Sequence, residues 1–146
     1  MKQINIDSLA SLKTLAGKIA SLANIGDIIL LKGELGSGKT SFAKYFINSI
    51  SKHDQNVTSP TFNILQIYDC ENFSAWHYDF YRIETEEEIV NLGLDDAFSN
   101  GVSIIEWPEK IRSFLPQASL EIHFSFTEKH NSRLLTISGS EKWTIL

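Results

Sequence analysis

The sequence predicts an α/β fold of three layers, with a mixed central sheet and antiparallel hairpin additions. Three observations carry this. The apolar run Ile28-Ile29-Leu30-Leu31 leads into a glycine-rich turn and then an amphipathic stretch, Ser41 to Ile47. A second run, Val102-Ser103-Ile104-Ile105, shows no polar alternation, as a parallel strand covered on both faces requires. Two pairs of shorter segments are joined by polar turns, the pattern of hairpins.

The elements follow in order. Gln3 to Ile6 alternates polar and apolar, as a half-buried strand does. Asp7 or Ser8 opens a helix with Leu9, Leu12, Leu15, Ala16, Ile19 and Leu22 on one face. Gly26-Asp27 leads into a strand over Ile28 to Lys32, and the helix after the glycine turn runs to about Ile50. Ser51 to Asn56 is a polar loop. Val57 to Phe62 is expected to be extended, because Pro60 pushes its predecessor out of the helical region. Ile64 to Asp69, a turn at Cys70 to Phe73, and Ser74 to Asp79 read as a hairpin. Thr85-Glu86-Glu87-Glu88 has capping-box spacing and predicts a short helix ending at Gly93, with a further turn over Leu94 to Phe98. After Val102 to Ile105, Pro108 suits the first position of a helix over Glu109 to Phe114. Leu120 to Phe126 and Arg133 to Ile137 alternate, joined by the polar segment Glu128 to Ser132.

The glycine turn carries the chemistry. Gly33-Glu34-Leu35-Gly36-Ser37-Gly38-Lys39-Thr40 fits the P-loop pattern G-x-x-x-x-G-K-[ST], which chance gives in roughly one chain in two hundred of this length. Glycines let the backbone curl so that its N–H groups point at phosphate oxygens, and the helix start adds positive charge. Gly36, Ser37, Gly38, Lys39, Thr40 and Ser41 are therefore the expected phosphate cradle. Lys39 is expected to reach the β- and γ-phosphates and Thr40 to place its hydroxyl on magnesium. Hydrolysis needs a second anchor for the metal, and Glu106, at the tip of the buried run, is in the right place. His77-Tyr78-Asp79-Phe80-Tyr81-Arg82 is a second dense cluster, in which alternation puts His77, Asp79 and Tyr81 on one face. Asp79 is a candidate for holding an attacking or metal-bound water, or for a surface ion pair with Arg82. Thr61, in Ser59-Pro60-Thr61, is a candidate γ-phosphate sensor or a simple turn residue.

Bulk properties bound the function. A length of 146 residues is that of one domain, so residues 1–146 are expected to form a single ATPase domain. A net charge of −5 argues against a large nucleic-acid-binding face. The single cysteine, Cys70, forms no internal disulfide, and neither a signal peptide nor a spanning segment is readable; the cytoplasm is the expected location. No Asn-Lys-x-Asp segment for guanine is present, so ATP is the expected nucleotide. The arginines number three, Arg82, Arg112 and Arg133, which is few for a small-molecule or nucleoside kinase, the alternative reading.

The motifs in series, Gly33 to Thr40, Ser59 to Phe62, His77 to Arg82 and Glu106-Trp107, resemble the TsaE (YjeE) family of small bacterial P-loop ATPases over nearly the whole chain. The resemblance implies a P-loop α/β sheet of mixed order. It implies a role in making threonylcarbamoyladenosine at tRNA position 37, with ATP and Mg²⁺ as cofactors. The implied partners are a transferase subunit and its inactive-protease-like companion, with nucleotide binding driving assembly and hydrolysis resetting the complex; stable nucleic-acid or membrane binding is not expected. It implies that Lys39 holds phosphate, that Thr40 and Glu106 hold the metal, and that Thr61 and Asp79 matter for activity. Asp7 and Arg133 are candidate contacts to the adenine side.

Overall fold

A computed structural model describes residues 1–51, 56–58, 60 and 62–146. Seven strands form one mixed sheet: β1 (Lys2–Ile6), β2 (Ile28–Gly33), β3 (Leu65–Asp69), β4 (Ser74–Asp79), β5 (Gly101–Glu106), β6 (Leu120–Phe126) and β7 (Arg133–Gly139). Their spatial order is β1-β7-β6-β2-β5-β4-β3. The centre is parallel, with β2 between β5 and β6 and β4 beside β5. The hairpins β3-β4 and β6-β7 are antiparallel, and β1 adds to the outer edge of β7.

The two faces are covered differently. Helices α1 (Leu9–Leu22) and α2 (Lys39–Ile50) pack together on one side. They bury Ile19, Phe42, Phe46 and Ile47 against Ile29, Leu31, Val102 and Ile104 of the sheet. On the opposite side lie α3 (Leu94–Asn100) and the 3₁₀ segments Glu86–Ile89 and Pro108–Phe114, which cover Ile28, Leu30, Tyr78, Phe80 and Ile105. The alternation within β2 and β5 sends successive side chains to opposite layers. All six residues of β5 are buried, which explains its unbroken apolar character.

Local signals explain most boundaries. Ser8 caps α1: its Oγ accepts from Ser11 N–H, while Ser11 Oγ accepts from Ser8 N–H. The Thr85 capping box forms, with Glu88 accepting from Thr85 N–H, but the helix it starts is a single 3₁₀ turn. The segment after Pro108 is also 3₁₀ and is broken at Ile111, so the expected regular helix there is replaced by a kinked turn. Phe62 lies in a turn and Ile64 has φ 68°, so the extended segment expected up to Phe62 does not persist and the strand begins at Leu65. The 3₁₀ turn Glu141–Ile145, which buries Trp143, has no capping or periodic signal in the sequence. Thr61 and Ser59 lie outside the described residues.

Two glycines test this account in opposite directions. Gly17, inside α1, has nothing within 4 Å of an added Cβ, so Gly17→Ala should stabilise the chain by about 1 kcal/mol in urea unfolding. At Gly101 an added Cβ would sit 2.6 Å from Ser74 O and 2.7 Å from the Trp76 ring, so Gly101→Ala should lower the unfolding midpoint in the same experiment.

Candidate functional site

The site forms where β2, β5 and β4 end side by side. Register places Leu31 opposite Glu106, and Glu106 opposite Asp79. The chain leaves β2 at Gly33, curls through the glycine turn and enters α2 at Lys39. Gly33 has φ 146°, and a Cβ there would meet Ser37 Oγ at 2.7 Å and Phe124 O at 2.8 Å; no other residue fits. Gly38 is the N-cap of α2 with φ 115°, and no side chain caps the helix, so its first-turn N–H groups face the loop. Ligands in open α/β sheets sit at this carboxyl edge.

Lys39 is buried, and its Nζ folds back into the loop, donating to Gly33 O at 2.5 Å and Glu34 O at 2.9 Å. The ammonium also lies 4.4 Å from the Trp107 ring centre. Burial pushes the Lys39 pKa down, and the nearby Glu106, Asp79 and Glu109 carboxylates only partly offset this. Thr40 Oγ1 donates to the Glu106 carboxylate, 3.0 and 3.1 Å from its two oxygens. Glu106 Oε2 also lies 2.6 Å from His77 Nε2. Asp79 Oδ1 accepts from Tyr81 N–H at 2.9 Å. Tyr81 and Trp107 rings meet at 4.9 Å, and Trp107 takes a left-handed backbone, φ 59°, that ends β5.

A cleft of about 220 Å³ is lined by Leu35 through Ser41 with Asp79, Glu106 and Trp107. The structure thus brings Gly36, Ser37, Gly38, Lys39, Thr40, Ser41, Asp79 and Glu106 to one place. A neighbouring cleft of about 540 Å³ shares Gly36, Ser37, Gly38 and Ser41 and adds Asp7, Leu12, His130 and Arg133. Asp7 and Arg133 therefore lie across the P-loop from Glu106. Arg133 also holds the loop itself: Nε donates to Ser37 O at 3.2 Å and Nη2 to Gly36 O at 3.4 Å, with the guanidinium 4.6 Å from the Phe126 ring. Arg82 stacks on Phe62 at 4.2 Å. Thr61 cannot be placed, lying outside the described residues.

The family model described as threonylcarbamoyl adenosine biosynthesis protein TsaE matches residues 6–135. The chain belongs to the TsaE family. A relative from Rickettsia typhi, named tRNA threonylcarbamoyladenosine biosynthesis protein TsaE, is 39% identical over 132 residues, 90% of this chain and 91% of its own. A protein of the same name from Bacillus subtilis is 40% identical over 111 residues, 75% of this chain and 68% of its own. The crystal structure of Bacillus subtilis YdiB superposes with a TM-score of 0.80 and 27% identity, covering 99% of this chain and 89% of that one. The expected family and mixed α/β fold are both borne out. Nucleotide binding is consistent with TsaE membership. Among the described residues no helix is long and apolar enough to cross a membrane.

One contact the sequence did not reveal is His77 to Glu106. Alternation put His77 beside Asp79, but only the β4-β5 register shows which carboxylate its ring meets.

The lowered Lys39 pKa has a consequence for stability. The cost of burying the charged ammonium is present below the folded-state pKa and is relieved as pH rises from there toward 10.5, the ordinary value. Wild type should therefore gain stability relative to Lys39→Met as pH is raised through that window, read as the difference between their urea midpoints.

Proposed function

We propose that this chain binds ATP with Mg²⁺ at the P-loop and hydrolyses it slowly on its own. In this reading it serves as the assembly and reset switch of the transferase complex that makes threonylcarbamoyladenosine at tRNA position 37. The observation that carries it is the contact between Thr40 and Glu106 at the mouth of the phosphate cradle. The names of the relatives support the pathway. The donor chemistry fits the metal. A hydroxyl and a carboxylate are hard oxygen donors, and Mg²⁺ normally takes one or two protein groups plus substrate phosphate. Among the described residues no cluster of three His, Cys, Asp or Glu is poised to hold a metal, which suits an ion that arrives with its nucleotide.

The roles divide by position. Backbone N–H groups of Gly36 to Thr40 cradle phosphate, and Lys39 leaves Gly33 O and Glu34 O to reach it. Thr40 and Glu106 would hold Mg²⁺, whose chemistry there would be to neutralise charge on the transferring phosphoryl group. Asp79, at the same height on the next strand, orients the attacking water. Asp7 and Arg133 border the space left for the nucleoside. Slow turnover by the isolated chain is expected because such a switch waits for partner contacts to complete its site. The expected partners are the transferase subunit and its inactive-protease-like companion. The arginines support an ATPase over a kinase. None lines the 220 Å³ cleft, Arg133 is committed to P-loop carbonyls, and Arg82 to Phe62.

Calorimetry and phosphate release test this together. Lys39→Ala should weaken ATP binding by at least about tenfold, roughly 1.4 kcal/mol. Glu106→Gln should keep Mg²⁺-free nucleotide affinity and lose hydrolysis. Unchanged phosphate release by Glu106→Gln would contradict the proposal. ATP should also tighten binding to the transferase heterodimer, and the heterodimer should tighten ATP binding by the same factor.

A further inference from the structure

We propose that His77 is a positioning residue: it fixes the Glu106 carboxylate in the orientation that accepts Mg²⁺. This rests on the reading of Glu106 as the metal-side group. His77 is completely buried on β4, on the sheet face that carries Ala75 and Asp79 and looks toward α2. Its register partner on β5 is Ile104, two residues before Glu106, so the ring reaches diagonally along the sheet to Glu106.

The hydrogen bonding is one-sided. His77 Nε2 lies 2.6 Å from Glu106 Oε2. A carboxylate oxygen accepts, so Nε2 is the donor of this bond. The other nitrogen, Nδ1, is buried with no partner among the described residues. Half of the imidazole's polar capacity is thus left unsatisfied in an apolar layer where an aliphatic side chain would carry no such penalty. The bond to Glu106 is what the ring provides in return.

That bond constrains the carboxylate where freedom would matter. Thr40 Oγ1 lies within 3.1 Å of both Glu106 oxygens, so Thr40 alone does not select between them. His77 engages Oε2 only. It fixes the carboxylate plane and leaves Oε1 toward Thr40. A Thr40 hydroxyl that gave a lone pair to a metal would have its hydrogen direction set by that bond, whereas His77 would still hold Glu106 Oε2. The carboxylate is therefore already oriented, and its orientation does not depend on that hydroxyl alone. Groups that orient a ligand in this way commonly change metal affinity by about tenfold or more.

The test measures metal binding separately from turnover. Mn²⁺ is titrated into the full chain saturated with a non-hydrolysable ATP analogue, and free Mn²⁺ is read by electron paramagnetic resonance. Nucleotide affinity in EDTA is measured in parallel by calorimetry. His77→Leu should weaken Mn²⁺ about tenfold while nucleotide affinity in EDTA stays within about twofold. His77→Gln, whose amide can donate near the Nε2 position, should recover most of the loss. Equal Mn²⁺ affinity in His77→Leu and wild type overturns the proposal, as does an equal loss of affinity in EDTA. Glu106→Gln separates this from the underlying reading. If it leaves Mn²⁺ affinity unchanged, the metal role of Glu106 fails; if it weakens Mn²⁺ while His77→Leu does not, only the His77 proposal fails. A second measurement needs no substitution. In ¹⁵N-histidine spectra of the wild-type nucleotide complex, added Mg²⁺ should shift the His77 Nε2 resonance while Nε2 stays protonated, and an unmoved resonance counts against the proposal.

Discussion

The Glu106 carboxylate is the constraint on which the rest of the site depends. It stands at the end of a strand whose six residues are all buried, flanked by β2 and β4. A carboxylate almost removed from solvent persists only where donors meet it. Thr40 and His77 are those donors, and they come from different elements. Thr40 ties Glu106 to the start of α2, and His77 ties it to β4. The P-loop helix, the central strand and the β3-β4 hairpin are thereby fixed around one anion.

The glycine turn supplies the complementary feature. Its positive-φ residues, Gly33, Gly36 and Gly38, shape a loop whose N–H groups and uncapped helix start favour negative charge. Lys39 sits inside that loop on two carbonyls and against Trp107. Arg133, from β7, holds the loop from outside through Ser37 O and Gly36 O. A segment rich in glycine, which pays heavily in chain entropy when ordered, is thus tied down from both sides. Buried Glu106 and half-buried Thr40 give the mouth of the loop its oxygen donors.

Much of this was legible in the sequence because its signals are local. The unbroken apolar runs marked β2 and β5, capping chemistry marked the starts at Asp7 or Ser8 and at Thr85, and the P-loop spacing marked the glycine turn. What was not legible depends on pairing between distant segments. The diagonal contact of His77 with Glu106 follows from strand register, which no single segment encodes. Arg133 was placed near the nucleotide side, but its bonds to P-loop carbonyls depend on how the β6-β7 hairpin folds across the sheet. The left-handed Ile64 runs against the local preference of a β-branched residue, so tertiary context overrides propensity there.

The proposed function places a metal, arriving with nucleotide, at the Thr40–Glu106 contact. A crystal structure of the chain with Mn²⁺ and a non-hydrolysable ATP analogue tests it most directly, because anomalous scattering locates the ion without assumption. One manganese peak is expected within coordination distance of Thr40 Oγ1, on the Glu106 side of the nucleotide phosphates. A manganese peak away from both Thr40 and Glu106, with nucleotide bound at the P-loop, would contradict it.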